Sequence, residues 1–432
     1  MRADGQHGGF KGIMAASVLE AVQRLNPFKT PEARRLAVLF GVVYFAQGMW
    51  SLPNQSITIV LKERGLSAAQ VATFFAISTA PWLIKPVYGL LSDFVPLFRY
   101  RRKSYLLLTS SVASASGFAL GLVVPHTYWW LAVLFTCMGL GLAFTDVLTD
   151  ALMVENGRPL RLTGAFQAVQ WASIYVAAML VGVVGGAAAE RRNLHVAFLL
   201  AACFPLVSFV MATLFVREKR ARADRAAFLE RMAAIREAVR EREVWVVAGF
   251  ILFWTFSPSF GPALLYYQTD HLKFGQQFIG NLTALGSLAA VGGALIYAPL
   301  SRKYPLKALI VASIGVAVTG TLAYLLYRDP ASAIVIDTVF GCIGMITQLA
   351  FLDLAAKSCP RRVEGTFFAL LMSVYNGGTQ GAQITGGYLY DWLGYTPLVL
   401  ISAGFTALAW LLVPLVRIDR IEANARRQAD GN

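Results

Sequence analysis

Two carboxylates four residues apart, Asp146 and Asp150, sit within an apolar run at 128–152, and a lysine, Lys85, sits within another at 68–91. Four residues is close to one helical turn, so both acids share a helix face. Two carboxylates in a low dielectric resist joint ionisation, and a pair of this kind suits the taking up and releasing of a proton. Lys85 offers the compensating charge. Counted at 1.5 Å per residue, Lys85 is ~9 Å inside a run ending at Leu91, and Asp150 is ~8 Å inside one ending at Glu155. The sequence therefore predicts a Lys85–Asp150 ion pair, with Asp146, ~6 Å deeper, as the proton carrier and Asp337 next in line. Asp146, Asp150 and Asp337 also form an oxygen donor set for a hard cation, provided their helices converge. Asp353 and Glu364 lie near the ends of their runs and read as helix-end charges.

Polar neutral residues recur at helical spacing. Gln47, Ser51, Asn54 and Thr58 follow one another at 4, 3 and 4 residues around Pro53, a position that predicts a kink. Thr163, Gln167 and Gln170 form a second stripe, and Ser373, Asn376, Gln380 and Gln383 a third. Such residues serve either as glue between membrane helices or as the lining of a cavity for a flat heterocycle. Trp50, Trp171, Trp254 and Tyr266 are the aromatic candidates for stacking on it.

These residues need an apolar frame, and the composition provides one. Of 432 residues, 57% are hydrophobic and only 14% charged, well below the roughly 25% charged of globular domains. Twelve runs are long enough to cross a hydrocarbon core: 36–61, 68–91, 104–124, 128–152, 161–188, 194–216, 244–268, 277–300, 306–327, 331–355, 363–389 and 396–416. The expected fold is an all-α membrane protein of twelve transmembrane helices in two six-helix pseudo-repeats, 36–216 and 244–418. Alternate loops are basic, with 31 Lys and Arg on one side against 6 on the other. The positive-inside rule then puts the tails, 1–35 and 419–432, in the cytoplasm. The net charge of +14 is thus a topology signal and not a nucleic-acid surface. The stretch 217–243 spaces Phe228, Met232, Ile235 and Val239 along one face, which predicts an amphipathic cytoplasmic linker. No secretory signal is read before residue 36.

Soluble-enzyme readings fall on composition. The sequence has no phosphate-binding GxxxxGK[ST] loop and no Gly-x-Ser-x-Gly elbow, and its four histidines are isolated. Cys137, Cys203, Cys342 and Cys359 lack metal spacing, so neither a metal nor a cofactor is expected. The halves repeat each other. Arg161-x-x-Gly164-x-Phe166-x-Ala168 returns as Arg362-x-x-Gly365-x-Phe367-x-Ala369, 201 residues on, and Tyr88-x-x-Leu91-Ser92 returns as Tyr297-x-x-Leu300-Ser301, 209 residues on. Two parallel six-helix repeats form a transporter architecture that rocks around a midplane site.

Gly89 to Asp93, followed by the basic run with Arg101 and Arg102, resembles the loop between the second and third spans of the major facilitator superfamily. Four longer strings resemble the folate–biopterin transporter family within it: Ala80-Pro-Trp-Leu-Ile-Lys85-Pro-Val-Tyr-Gly-Leu-Leu-Ser-Asp93, Tyr100-Arg-Arg-Lys-Ser-Tyr105, Asp146-Val-Leu-Thr-Asp150, and Cys359-Pro-Arg-Arg-Val-Glu364 through Asn376. The resemblance covers roughly 36–416. It implies transport of folates, pterins or related organic molecules, with Gly89, Asp93, Arg101 and Arg102 as a gating loop. The expectation is a secondary transporter that moves a small solute by alternating access, proton-coupled, in the cell's inner (plasma) membrane. Its partners would be the solute and the lipid bilayer, with no nucleic acid and no oligomeric state assigned. One Lys against three acids inside the membrane keeps a cation or metal-ion carrier, such as one for iron, as an alternative. A transport-inactive scaffold or receptor is the other.

Overall fold

A computed structural model describes residues 27–123, 125–160, 162–221, 225–359 and 364–430. The N-terminal tail to residue 26 lies outside these, as do Arg161 and Arg362 of the repeated string. The described residues are helical apart from short connections and one isolated bridge, Leu97 with Tyr100.

Ten stretches are long and apolar enough to cross a membrane: Pro31–Glu63, Ala68–Phe94, Lys103–Leu122, Tyr128–Gly157, Thr163–Glu190, Leu194–Phe215, Gln276–Lys303, Leu306–Leu326, Pro330–Lys357 and Tyr395–Val416. The other two expected spans are present and differ for physical reasons. The seventh is split into Arg242–Thr255 and Gly261–Asp270. Pro258 lies in the break, where a proline offers no N–H to continue a helix. The eleventh, Glu364–Leu393, is long but carries the Ser/Asn/Gln stripe and so is less apolar. Twelve spans is the organisation these helices fit.

Breaks fall where the sequence places proline and glycine. The first span stops at Gly48, makes a 3₁₀ turn at Met49–Ser51, and restarts at Asn54 beyond Pro53. The second has a 3₁₀ stretch at Ala80–Ile84, which contains Pro81, and restarts at Lys85 just before Pro86. The break in the seventh is sealed by the eleventh, because the Ser259 N–H donates to the Ala382 carbonyl at 3.1 Å. Gly261 in that break has φ +39, and a Cβ there would stand 3.0 Å from Gln383 Cγ.

One core packs Phe40, Tyr44, Tyr88 and Phe144 near the basic loops of the first half, and another packs Phe250, Ile310, Phe351 and Val413 in the second. A third, around Trp50, Phe74 and Phe135, takes in Ala263, Tyr266 and Leu398 from the second half. That core lies toward the end opposite the basic loops, where the halves are also joined by hydrogen bonds. Lys62 bonds Thr269 and Asp270, the Tyr266 hydroxyl donates to the Leu66 carbonyl at 2.6 Å, and Gln55 donates to the Gln276 carbonyl at 2.8 Å. Within the charged stretch between the halves a helix occupies Arg225–Ala238, and Phe228 rests edge-on against Phe94 at 5.2 Å.

Candidate functional site

The break at Ala80–Ile84 leaves Lys85 at the first position of a new helix, beside the fourth span. Its ammonium lies 2.5 Å from Asp146 Oδ2, with the two side chains only 15% and 8% exposed. One turn further along, Asp150 accepts hydrogen bonds from the Tyr44 hydroxyl and from Gln170 Nε2, the latter at 3.2 Å, and both reach the same oxygen, Oδ1. Residues of the first, second, fourth and fifth spans thus form one buried cluster: Tyr44, Lys85, Asp146, Asp150 and Gln170.

The expected partners are exchanged: Lys85 contacts Asp146, not Asp150. The depth reference was at fault. Arg102 is buried (4% exposed) and contacts both Asp93 and Glu155, the latter at 2.8 Å, so these two acids mark equal depth on the parallel second and fourth spans. Lys85 precedes Asp93 by eight residues, and Asp146 precedes Glu155 by nine but Asp150 by only five. At 1.5 Å per residue those are ~12, ~13.5 and ~7.5 Å, which matches Lys85 to Asp146. Counting from Leu91 had placed the lysine too shallow.

The loop residues divide. Arg102 also donates to Ser92 Oγ at 2.5 Å, so the loop closes on one guanidinium. Arg101 is exposed and joins only through its backbone N–H, which donates to Glu218 at 2.9 Å. Glu218 accepts the N–H groups of Arg102 and Lys103 as well and so caps the third span. Gly89 faces the fourth span, where a Cβ would make an ordinary contact with Val147 at 3.7 Å.

Of the polar stripes, Gln47 Oε1 and Asn54 Oδ1 are buried and accept no hydrogen bond among the described residues. Gln380 Nε2 donates to the Thr79 carbonyl at 3.1 Å and ties the eleventh span to the second across the halves. Gln383 packs against Gly261, Asn376 is half-buried on the same helix, and Gln167 is exposed and stands apart from the cluster. Most of the aromatic candidates are occupied by packing. Trp50 stacks on Phe135 at 4.3 Å, Trp254 on Phe351 at 4.4 Å, and Tyr266 reaches Leu66. Trp171 stacks on Tyr175 at 6.2 Å, and the Tyr175 hydroxyl lies 2.8 Å from Met345 Sδ in the other half.

Asp337 stands elsewhere. Its Oδ1 accepts from Tyr324 at 3.1 Å and its Oδ2 from Tyr327 at 2.9 Å, and Gln268 Nε2 donates to the Tyr327 hydroxyl at 2.6 Å. The chain of donors flanks a cavity of about 430 Å³ lined by Gln268, Thr283, Tyr324, Asp337 and Phe340 among others. The convergence that a three-carboxylate cation site requires is therefore not formed. Among the described residues no three His, Cys, Asp or Glu side chains are grouped to hold a metal. Asp353 bonds Lys357 at 2.7 Å, four residues on, as a helix-end pair.

Sequence reasoning missed Tyr44, Glu155, Glu218, Tyr324 and Tyr327. Tyr44 had a signal: it stands three residues before Gln47 and extends the first stripe. Glu218 finds its partners more than 110 residues away, and the tyrosines meet Asp337 across the turn into the next helix; no helical spacing announces either.

The fold is that of major facilitator transporters. The crystal structure of a D-xylose–proton symporter matches it with a TM-score of 0.67 over 88% of this chain and 95% of that chain, at 15% identity, a likeness of fold alone. The model of the BT1 family matches residues 47–416. A folate-biopterin transporter of Synechocystis sp. is 32% identical over 385 residues, covering 85% of this chain and 76% of that protein. Folate transporter 1 of Plasmodium falciparum is 25% identical over 389 residues, covering 86% and 75%. The chain belongs to the BT1 family, and it is a multi-pass integral membrane transporter of small molecules, not an enzyme.

Proposed function

We propose that the protein carries a folate- or pterin-like solute by alternating access, the halves 36–216 and 244–418 rocking about the buried cluster, and that proton symport drives it. The cargo class follows from the relatives named for folate and biopterin. The coupling reading rests on one observation, the charge count of the cluster. Lys85 offsets one carboxylate, so Asp146 and Asp150 together leave one negative charge in a low dielectric, and one bound proton makes the group neutral.

We assign that proton to Asp150 and not to Asp146, the carrier expected from sequence. Asp146 is engaged by Lys85, whereas the donors to Asp150 are neutral and both use Oδ1, so its second oxygen is the place for the proton. Gln47 Oε1 and Asn54 Oδ1, buried acceptors in want of donors, suit the ring amine and ring N–H of a pterin. Gln170, Asn376, Gln380 and Gln383 extend the polar lining without Gln167, and the Gly89, Asp93, Arg101 and Arg102 loop controls opening at the basic end.

Uptake into proteoliposomes with folate, a pterin and a divalent metal, each with and without an inward pH gradient, tests this. Gradient-driven accumulation of the folate or pterin supports it. Accumulation of the metal alone favours the cation carrier, and no uptake of any solute favours the scaffold. The tails and 217–243 are assigned to the cytoplasm of the inner (plasma) membrane from the 31-to-6 split of basic residues. Reporter fusions after Lys219 and Arg427 should both read cytoplasmic, and an external signal from either overturns the topology.

A further inference from the structure

Glu190 ends the fifth span, and Asp391 lies close to the end of the eleventh, both at the end of the bundle away from the basic loops. Glu190 Oε2 accepts the backbone N–H of Gln277, in the first turn of the eighth span, at 3.1 Å. Asp391 accepts the first two N–H groups of the second span, from Ala68 at 3.2 Å and Ala69 at 3.1 Å. Both contacts cross between the halves, in opposite directions.

The two contacts are copies of each other. Glu190 and Asp391 are 201 residues apart, the offset of the repeated strings that begin these same spans. Ala68 and Gln277 are 209 apart, the offset of the strings near the ends of the second and eighth spans. A glycine precedes each acid by four residues, Gly186 and Gly387, and each lies where backbones nearly touch. A Cβ on Gly387 would be 2.6 Å from Ala69 Cα, and one on Gly186 would be 3.0 Å from Gly280 Cα. Small residues permit such approach between membrane helices. The same pattern, glycine then acid one turn later, docks the end of one helix on the start of another in the opposite half.

A helix start presents free N–H groups and partial positive charge, which a carboxylate satisfies without a cationic partner. At the second span Asp391 takes Ala68 and Ala69 while Ser67 takes Gln70, so the first three N–H groups are satisfied. We propose that Glu190 and Asp391 are paired latches that hold this end of the transporter closed, and that opening it requires both to release. Released, each carboxylate and each helix start meets water, so the cost is modest and the latch reversible.

The latches rest on alternating access and not on the cargo, so a test without solute separates them from the cargo assignment. Spin labels at Arg191 and Lys273, exposed residues of the two halves at this end, report its separation by pulsed dipolar spectroscopy. Asp391→Ala should raise the ratio of separated to closed populations about tenfold, the scale of hydrogen bonds to a charged acceptor. Glu190→Ala, which loses one bond, should raise it roughly threefold, and the double variant more than either. Glu63→Gln, which breaks the 3.1 Å pair with Arg192 inside one half, should leave it unchanged. If Asp391→Ala is not recovered folded, Asp391→Asn with Glu190→Gln replaces it, with at least a twofold rise expected from the lost charge. Distributions equal to the parent's in the latch variants, or an equal shift in Glu63→Gln, overturn the proposal.

Discussion

Each half of the molecule buries carboxylates inside the membrane, and the two halves hold them differently. In the first, Asp146 faces Lys85 and Asp150 receives two donors on one oxygen. In the second, Asp337 receives a tyrosine hydroxyl on each oxygen, with Gln268 fixing one of those tyrosines in turn. Asp337 meets only neutral donors, one on each oxygen, with no cation beside it among the described residues. The first cluster keeps an open carboxylate oxygen beside a cation, the arrangement needed by a site that changes charge. The two repeats thus place their buried carboxylates in different surroundings.

The strongest way to break this comparison is to strand a charge. Lys85→Ala should lower the stability of the purified protein by ~3–5 kcal/mol, the cost of an unpaired buried charge. The exchange Lys85→Asp with Asp146→Lys should recover part of the loss, and Lys85→Asp with Asp150→Lys should not; the reverse order in thermal unfolding would restore the pairing expected from sequence. Asp150→Asn comes next and is functional. It should retain counterflow of solute while losing pH-driven accumulation, because no proton is released. Uptake that still follows the gradient in Asp150→Asn moves the proton to Asp146, and Asp146→Asn then shows the loss.

The second half should respond to loss of donors and not to loss of charge exchange. Tyr327→Phe removes one donor from Asp337 and strands Gln268, at a cost of ~1–3 kcal/mol. Asp337→Asn should leave pH-driven uptake near the parent's. A loss there as deep as in Asp150→Asn would make the two clusters functional equals. The smallest effect belongs to Asp329, which caps the tenth span outside the membrane. Its carboxyl is held below the ordinary value of 3.8, first by the backbone N–H of Ser332. A depressed value means that the carboxylate stabilises the folded state above the unfolded pKa and that this is lost as pH falls through the folded one. Parent and Asp329→Ala should therefore differ slightly in unfolding temperature at pH 7 and draw together as pH falls from about 3.8 through the lower folded value.

Much of the fold was legible because a bilayer constrains sequence strongly. Apolar runs of a fixed length are local signals that became helices, and the kink expected at Pro53 is present, whereas the break at Ala80–Ile84 was not anticipated. The seventh span looked continuous because Pro258 in a short apolar run reads the same whether the helix kinks or stops; the backbone of the eleventh span decided that it stops. The membership of the site was partly legible as well. Lys85, Asp146, Asp150 and Gln170 do come together, whereas Gln167 stands apart and Asp337 belongs to another cluster.

By itself the sequence determined which residues carry charge into the membrane, that the chain is built from two copies, and which family it resembles. All three are properties of composition and order along the chain. Only the tertiary structure decided who meets whom. A helix fixes neighbours within a turn but not the vertical offset of one helix against the next. That offset was set by Arg102 closing on Asp93 and Glu155, which brought Lys85 to Asp146. It was set again across the halves by Glu190 and Asp391, whose partners are backbone N–H groups more than 80 residues away and carry no mark in the sequence.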